Sequence, residues 1–129
     1  MSKSVILTKR TDKSNLQKEF LKAINGILDL TNRELELLNL LIEFDKELEG
    51  DTSGTSVINA ANRKRVKAKL GITPDNLSRY ISKFKQNGIL VNGKVDGEMH
   101  INKTLTPDII RDRVQITIVL KINNEENNI

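Results

Sequence analysis

Nine basic side chains lie between positions 55 and 94: Arg63, Lys64, Arg65, Lys67, Lys69, Arg79, Lys83, Lys85 and Lys94. A single acid, Asp75, shares that stretch with them. Interleaved are Asn76, Ser78, Ser82 and Gln86, side chains that both donate and accept hydrogen bonds. An arginine offers two parallel N–H donors to O6 and N7 of guanine, and an asparagine amide pairs in the same two-point manner with adenine. Lysines and arginines neutralise phosphates without regard to sequence. This is recognition chemistry, and the materials for bond-making are thin. The chain has no cysteine and one histidine, His100. Disulfides, thiolate zinc sites and cysteine nucleophiles are thereby excluded, and His100 has no second histidine or cysteine with which to build a zinc site. No glycine-rich phosphate loop and no Ser-His-Asp set can be assembled. The expectation is therefore a protein that is not an enzyme, with no catalytic residue, no metal ligand and no cofactor.

The overall charge of +4 is divided unevenly along the 129 residues. Residues 1–28 hold six basic and two acidic side chains, and residues 29–54 hold two basic and eight acidic. Residues 55–94 hold nine and one, and residues 95–129 hold four and six. One forty-residue block thus has a net charge of +8 beside a block of −6, the footprint of a nucleic-acid-binding surface.

The elements that must carry these residues can be read from capping and spacing. Val5 to Lys9 reads as a short strand. Ser14 with Gln17, and Thr31 with Glu34, are capping-box patterns. The first opens a helix to about Leu28, with Leu16, Phe20, Ile24 and Ile27 on one face. The second opens a helix to about Leu48, striped by Leu35, Leu38, Leu41 or Ile42, and Leu48. Gly50 to Ser56 reads as a loop and Val57-Ile58 as a short strand. Asn59 to Leu70 reads as a basic helix, with Ala60, Ala61, Val66 and Leu70 as candidate buried positions and Gly71 as its terminator. Thr73 caps the next helix, Pro74 occupies its first position and Asp75 its first turn. That helix runs to Asn87 and Gly88, burying Leu77, Ile81 and Phe84 with Tyr80 at the margin. Ile89-Leu90-Val91, the turn pair Asn92-Gly93 and a return around Met99-His100-Ile101 form a hairpin, with Gly97 marking a bulge or longer loop. After Pro107, Val114 to Ile122 alternates as a nine-residue strand, and the tail from Asn123 is polar and disordered.

Two helices separated by Leu70-Gly71-Ile72-Thr73 and followed by a hairpin make a helix-turn-helix. The device holds its second helix proud of the surface, where it fits a major groove about 12 Å wide. Residues 59–101 resemble the winged helix-turn-helix superfamily. Leu70 to Leu90, LGITPDNLSRYISKFKQNGIL, resembles the recognition segment of MarR-like regulators. The block including Glu98 to Asn102, EMHIN, is similar to the winged domain of plasmid and phage replication initiators, with Lys103 where their proline usually follows. The resemblance covers about 60 to 75 residues. It implies a fold that is mainly α with a small β component (α+β), a winged helix-turn-helix with an added N-terminal helix and terminal β-strands. The expected organisation is a strand and helix over 1–30 for support or dimerisation, the winged domain over 31–106, a strand over 107–122 and a tail over 123–129.

On that frame the outward face of the 74–87 helix presents Asp75, Asn76, Ser78, Arg79, Ser82, Lys83 and Gln86. Arg79 and Asn76 are the expected base readers, and Thr73 with the helix amides suits a phosphate. Arg63, Lys64, Lys67, Lys83, Lys85 and Lys94 are expected to position the DNA backbone. Asp96 and Glu98 near Lys94 leave the wing a small role. The acidic run Glu43 to Asp51 reads as a solvated helix end, and His100 as a surface residue. Phe20, Phe44, Tyr80 and Phe84 fall at core positions, which favours duplex over single-stranded DNA. The unpaired terminal strands suggest pairing with each other or in a homodimer, or a protein partner engaged there or on the acidic helix. The expected function is sequence-specific double-stranded DNA binding by a transcriptional regulator or replication-initiation protein of phage or plasmid type. The alternative is a phage structural, assembly or DNA-packaging protein. No segment reads as a membrane span or signal peptide, so the expected location is the cytoplasm, of the host if a phage encodes the chain.

Overall fold

Residues 5–48 and 56–123 are described by the computed structural model. Within them the order is α1 (Leu16–Leu28), α2 (Asn32–Glu47), α3 (Ala60–Leu70), α4 (Pro74–Gln86), β1 (Leu90–Asn92) and β2 (Met99–Ile101), followed by a 3-10 turn at Lys103–Leu105. The two strands pair antiparallel, Leu90 with Ile101 and Asn92 with Met99, so the described chain is an α+β arrangement dominated by helices.

The centre of the molecule is α2. Its start follows the sequence signal closely: Thr31 Oγ1 accepts from the Glu34 N–H at 3.2 Å, and the Glu34 carboxylate accepts from the Thr31 N–H at 2.9 Å. Both are otherwise orphan donors of a helix N-terminus. Leu37, Leu38, Leu40, Leu41, Ile42 and Phe44 are all buried, whereas Leu35 and Leu48 of the expected stripe are half-buried. A single apolar stripe suits a helix covered on one face. Here α1, α3 and β2 all pack on α2, so most of its circumference is enclosed.

The α3–α4 junction follows the residues that predicted it. Asn59 caps α3 by accepting from the Asn62 N–H at 2.7 Å. Gly71 ends it at φ 65°, a left-handed conformation that glycine adopts without a Cβ penalty. Ile72 is buried in the angle between the two helices, and Thr73 caps α4 by accepting from the Asn76 N–H at 3.3 Å. Leu77, Ile81 and Phe84 are buried and Tyr80 is half-buried, as the spacing predicts. Val66 is buried in α3, but Ala60 and Ala61 are exposed, and the inward position of the first turn belongs to Asn62. Asn62 satisfies its buried amide by donating to the Val57 carbonyl at 2.9 Å.

Several expectations are corrected. Val5 to Lys9 form no strand, and Val5, Ile6 and Leu7 lie exposed. The Ser14–Gln17 capping box is absent: Ser14 donates to Asp12 and Gln17 donates to Asn39 Oδ1 at 2.7 Å, so polar partners outside the helix end win both side chains. Leu21 is the buried residue of α1 while Ile27 is exposed, a rotation of the inward face toward α2. Val57-Ile58 form no strand; Val57 contributes one ladder-like bond, its N–H to the Met99 carbonyl at 2.9 Å. Asn92-Gly93 is not the hairpin turn. Asn92 belongs to β1, and the connection closes through Gly93 N–H to Glu98 O at 2.7 Å and Glu98 N–H to Val95 O at 3.0 Å, with Gly97 at φ 82°. Val114 to Ile122 form no strand either. The chain turns at Arg111-Asp112, bridging Ile110 and Arg113, and residues 114–123 then pair with no strand among the described residues. Most of the Gly50–Ser56 loop and nearly all the tail lie outside the described residues.

Leu21→Ala is expected to cost about 2–4 kcal/mol through lost transfer energy and a residual cavity, and Ile27→Ala less than about 0.5 kcal/mol. Urea unfolding of the two variants measures this; equal losses would place α1 on a different face.

Candidate nucleic-acid interface

Helix geometry sets one face of α4 apart. Asp75, Ser78, Arg79, Ser82 and Gln86 recur at helical spacing and are all exposed, opposite Leu77, Ile81 and Phe84. Val114 to Thr117 lie away from this face: they line an open cleft with Phe20 and Ile24 of α1 and with Lys103, Thr104, Thr106, Pro107 and Asp108, and no residue of α3 or α4 borders it. Arg63, Lys64 and Lys67 are exposed on α3, Lys85 near the end of α4, and Lys94 on the hairpin loop. None of these five forms an ion pair with a described residue.

Two of the expected contact residues are engaged elsewhere. Asn76 is half-buried, and its Oδ1 accepts from Arg79 Nη2. Lys83 turns toward α2, with its ammonium 2.9 Å from one Glu34 carboxylate oxygen and 3.0 Å from the other. Glu34 is 3% exposed. Burial pushes its carboxyl upward, but bonds from the Thr31 N–H, the Lys83 ammonium and the Thr31 hydroxyl outweigh this and hold it below the usual carboxylate range. Arg33, one residue earlier, donates to the Leu70 carbonyl at the end of α3. The first turn of α2 therefore grips both helices of the α3–α4 pair. Thr73 is exposed, but its hydroxyl serves as the α4 cap.

The basic block loses a second cation to an ion pair with α2. Arg65 makes a two-point pair with Glu47, at 2.8 and 2.9 Å, and its guanidinium lies 3.8 Å from the centre of the Phe44 ring. Glu47 lies in the acidic run that reads as a solvated helix end, yet its partner is eighteen positions away, on another helix.

A third acid of α2 organises the hairpin. Asp45 Oδ2 accepts from the Ile101 N–H at 2.9 Å, and Asp45 Oδ1 lies 2.9 Å from His100 Nδ1. His100 Nε2 is 2.7 Å from Glu98 Oε1, and the other Glu98 oxygen accepts from the Val95 N–H at 3.2 Å. His100 is thus held between two carboxylates rather than lying free on the surface. Glu98 foremost, then Asp45, raise its pKa above the ordinary histidine value, and His100 in turn lowers that of Glu98. Nothing local in the sequence marks this cluster, because Asp45 and His100 are 55 residues apart. Among the described residues, no group of three or more His, Asp or Glu side chains is arranged to hold a metal ion, and no helix is long and apolar enough to cross a membrane.

Comparison with family models, curated proteins and solved structures returns no match for this chain.

Two predictions follow from the ion pairs. Lys83→Met leaves the Glu34 charge buried without its cation and is expected to cost roughly 1–3 kcal/mol, against less than about 0.5 kcal/mol for Lys85→Met. Chemical denaturation separates the two. The histidine gives a pH dependence. Its raised pKa makes a stabilising contribution that is complete below the unfolded value of about 6.5 and is lost as pH rises through the folded value. Thermal melting of the wild type should fall from pH 6 toward pH 9, and His100→Gln should flatten that limb. An unchanged slope in the variant would remove the assignment.

Proposed function

We infer that this chain is a winged helix-turn-helix protein that binds duplex DNA in a sequence-specific manner through the outward face of α4. The observation that carries this reading is the bare, hydrogen-bonding α4 face beside the exposed cations of α3. In that role α3 and α4 are the two helices of the motif, and Gly71-Ile72-Thr73 is the turn. The β1–β2 hairpin is the wing, and the Val57–Met99 bond is the remnant of a third strand on the far edge of β2. α2 is the supporting helix.

The division of labour follows from side-chain chemistry. Arg79 and the short Ser78 and Ser82 approach base edges, with Asp75 and Gln86 flanking them. Arg63, Lys64, Lys67 and Lys85 meet phosphates, and Lys94 adds a contact at the wing. Asp96 and Glu98 keep the wing's share small, and Glu98 is also occupied by His100. The biological role that fits is a transcriptional regulator or replication-initiation protein of phage or plasmid type, acting in the cytoplasm. A phage assembly or DNA-packaging protein is the second reading. What favours it is the row of exposed apolar side chains at Ile116, Ile118, Val119, Leu120 and Ile122, which suits a protein contact. The same row supports a homodimer reading two half-sites.

Binding isotherms on randomised duplex over a salt series test the proposal. A preferred site is expected, with Arg79→Ala losing about 1–3 kcal/mol on it. Lys64→Ala is expected to weaken all sequences alike and to reduce the salt slope by about one. A steep salt slope with no preferred site would favour packaging instead, and no duplex affinity at low salt would end the reading.

A further inference from the structure

We propose that Asn76 is a positioning residue that aims Arg79, so that this turn of α4 reads a G·C pair and not an A·T pair. The inference rests on the duplex-DNA reading above and names the base pair to which the site is tuned.

The two side chains are three positions apart on α4 and bonded to one another, Arg79 Nη2 donating to Asn76 Oδ1. Asn76 is half-buried and its own N–H is held by the Thr73 cap, whereas Arg79 is exposed. Reading adenine requires an asparagine to present both ends of its amide, Oδ1 to the N6 amino group and Nδ2 to N7. In this chain Oδ1 accepts from Arg79 and keeps a second lone pair, but turning the half-buried amide so that both Oδ1 and Nδ2 meet an adenine would break that bond and release the arginine. Arg79 has the opposite balance. A guanidinium carries five N–H donors, so one bond to Asn76 leaves four, enough for the two-point contact with O6 and N7 of guanine. The bond also fixes a long flexible side chain before DNA arrives, which lowers the ordering cost of binding. Its exposed neighbours on this face, Ser78 and Ser82, are short, so Arg79 has the longest reach toward a groove.

The test is selection from randomised duplex by the wild type and by Arg79→Ala, Asn76→Ala and Asn76→Asp, with discrimination at each position read separately from total affinity. The wild type is expected to select a guanine, and Arg79→Ala to lose that preference by roughly tenfold or more. Asn76→Ala should weaken the same preference several-fold with no change at any adenine. Asn76→Asp retains an oxygen acceptor for Arg79 but has no amide donor for adenine N7, so it should keep the guanine preference. Melting curves of the four proteins separate loss of discrimination from loss of fold. A wild-type adenine preference abolished in both Asn76 variants, with guanine discrimination intact, would overturn the proposal. A wild type that binds duplex without selecting any base would remove the sequence-specific reading and this inference together, whereas selection of adenine alone would remove only the inference.

Discussion

A carboxylate with almost no access to water must be answered by the protein, and Glu34 is answered from two directions. From its own helix end it is held by Thr31, which it caps in return. From across the core it is held by Lys83. The first bond fixes where α2 begins and the second fixes α4 against that beginning. Without the second, α4 itself would be held against α2 mainly by apolar contact, which is non-directional. A charged, distance-dependent link supplies the register that Leu77, Ile81 and Phe84 alone do not specify.

The same device is repeated along α2. Glu47 holds Arg65 of α3, and Asp45 holds His100 and the Ile101 amide of β2. Three acids of one helix thereby tie down three different elements. Two acids of the acidic block, Glu34 and Glu47, are thus counterparts of cations in the basic block. Exposed ion pairs are worth little, and the Arg65–Glu47 pair is partly so, but its two-point geometry and its seat over Phe44 make it directional. Asp45 matters for a different reason. It takes the Ile101 N–H on the outer edge of β2, just as Ser56 takes the Met99 N–H at 2.9 Å, so a strand of three residues presents little open ladder.

What could be read in advance was whatever rests on neighbours in the chain. The Thr31–Glu34 box, the Gly71 terminus, the Thr73-Pro74-Asp75 start and the inward trio of α4 depend on residues within a turn or two, and all appear in the structure. Misreadings arose where tertiary partners competed. Gln17 had the right spacing for a box but found Asn39, 22 positions on. Asn92-Gly93 had the right composition for a two-residue turn, yet the register of β1 is set by the anchored Met99 and Ile101, which leaves the turn to fall at Gly97. Val114 to Ile122 has the alternation of a strand, but alternation supplies only one face, and no described strand offers a ladder. In the candidate site, position on the helix was legible, whereas occupancy was not. Lys83 sits on the margin between the outward face and α2, and only the burial of Glu34, far away in sequence, decides which side it joins.

That division changes how the proposed interface must work. Of the nine cations between 55 and 94, Arg65 and Lys83 serve the fold. The cations left outward are spread over two helices and a loop. Such a field attracts DNA and orients it, but discriminates poorly between sequences. In the proposed reading the β1–β2 hairpin adds little, since its acids offset Lys94 and Glu98 is bound to His100. Selectivity then falls on the hydrogen-bonding face of α4, which is the part of the domain most firmly aimed: capped at Thr73, plugged at Ile72, and tied through Lys83 to the beginning of α2. Cations given to ion pairs with α2 weaken the general attraction and sharpen the pose of the helix that would do the reading.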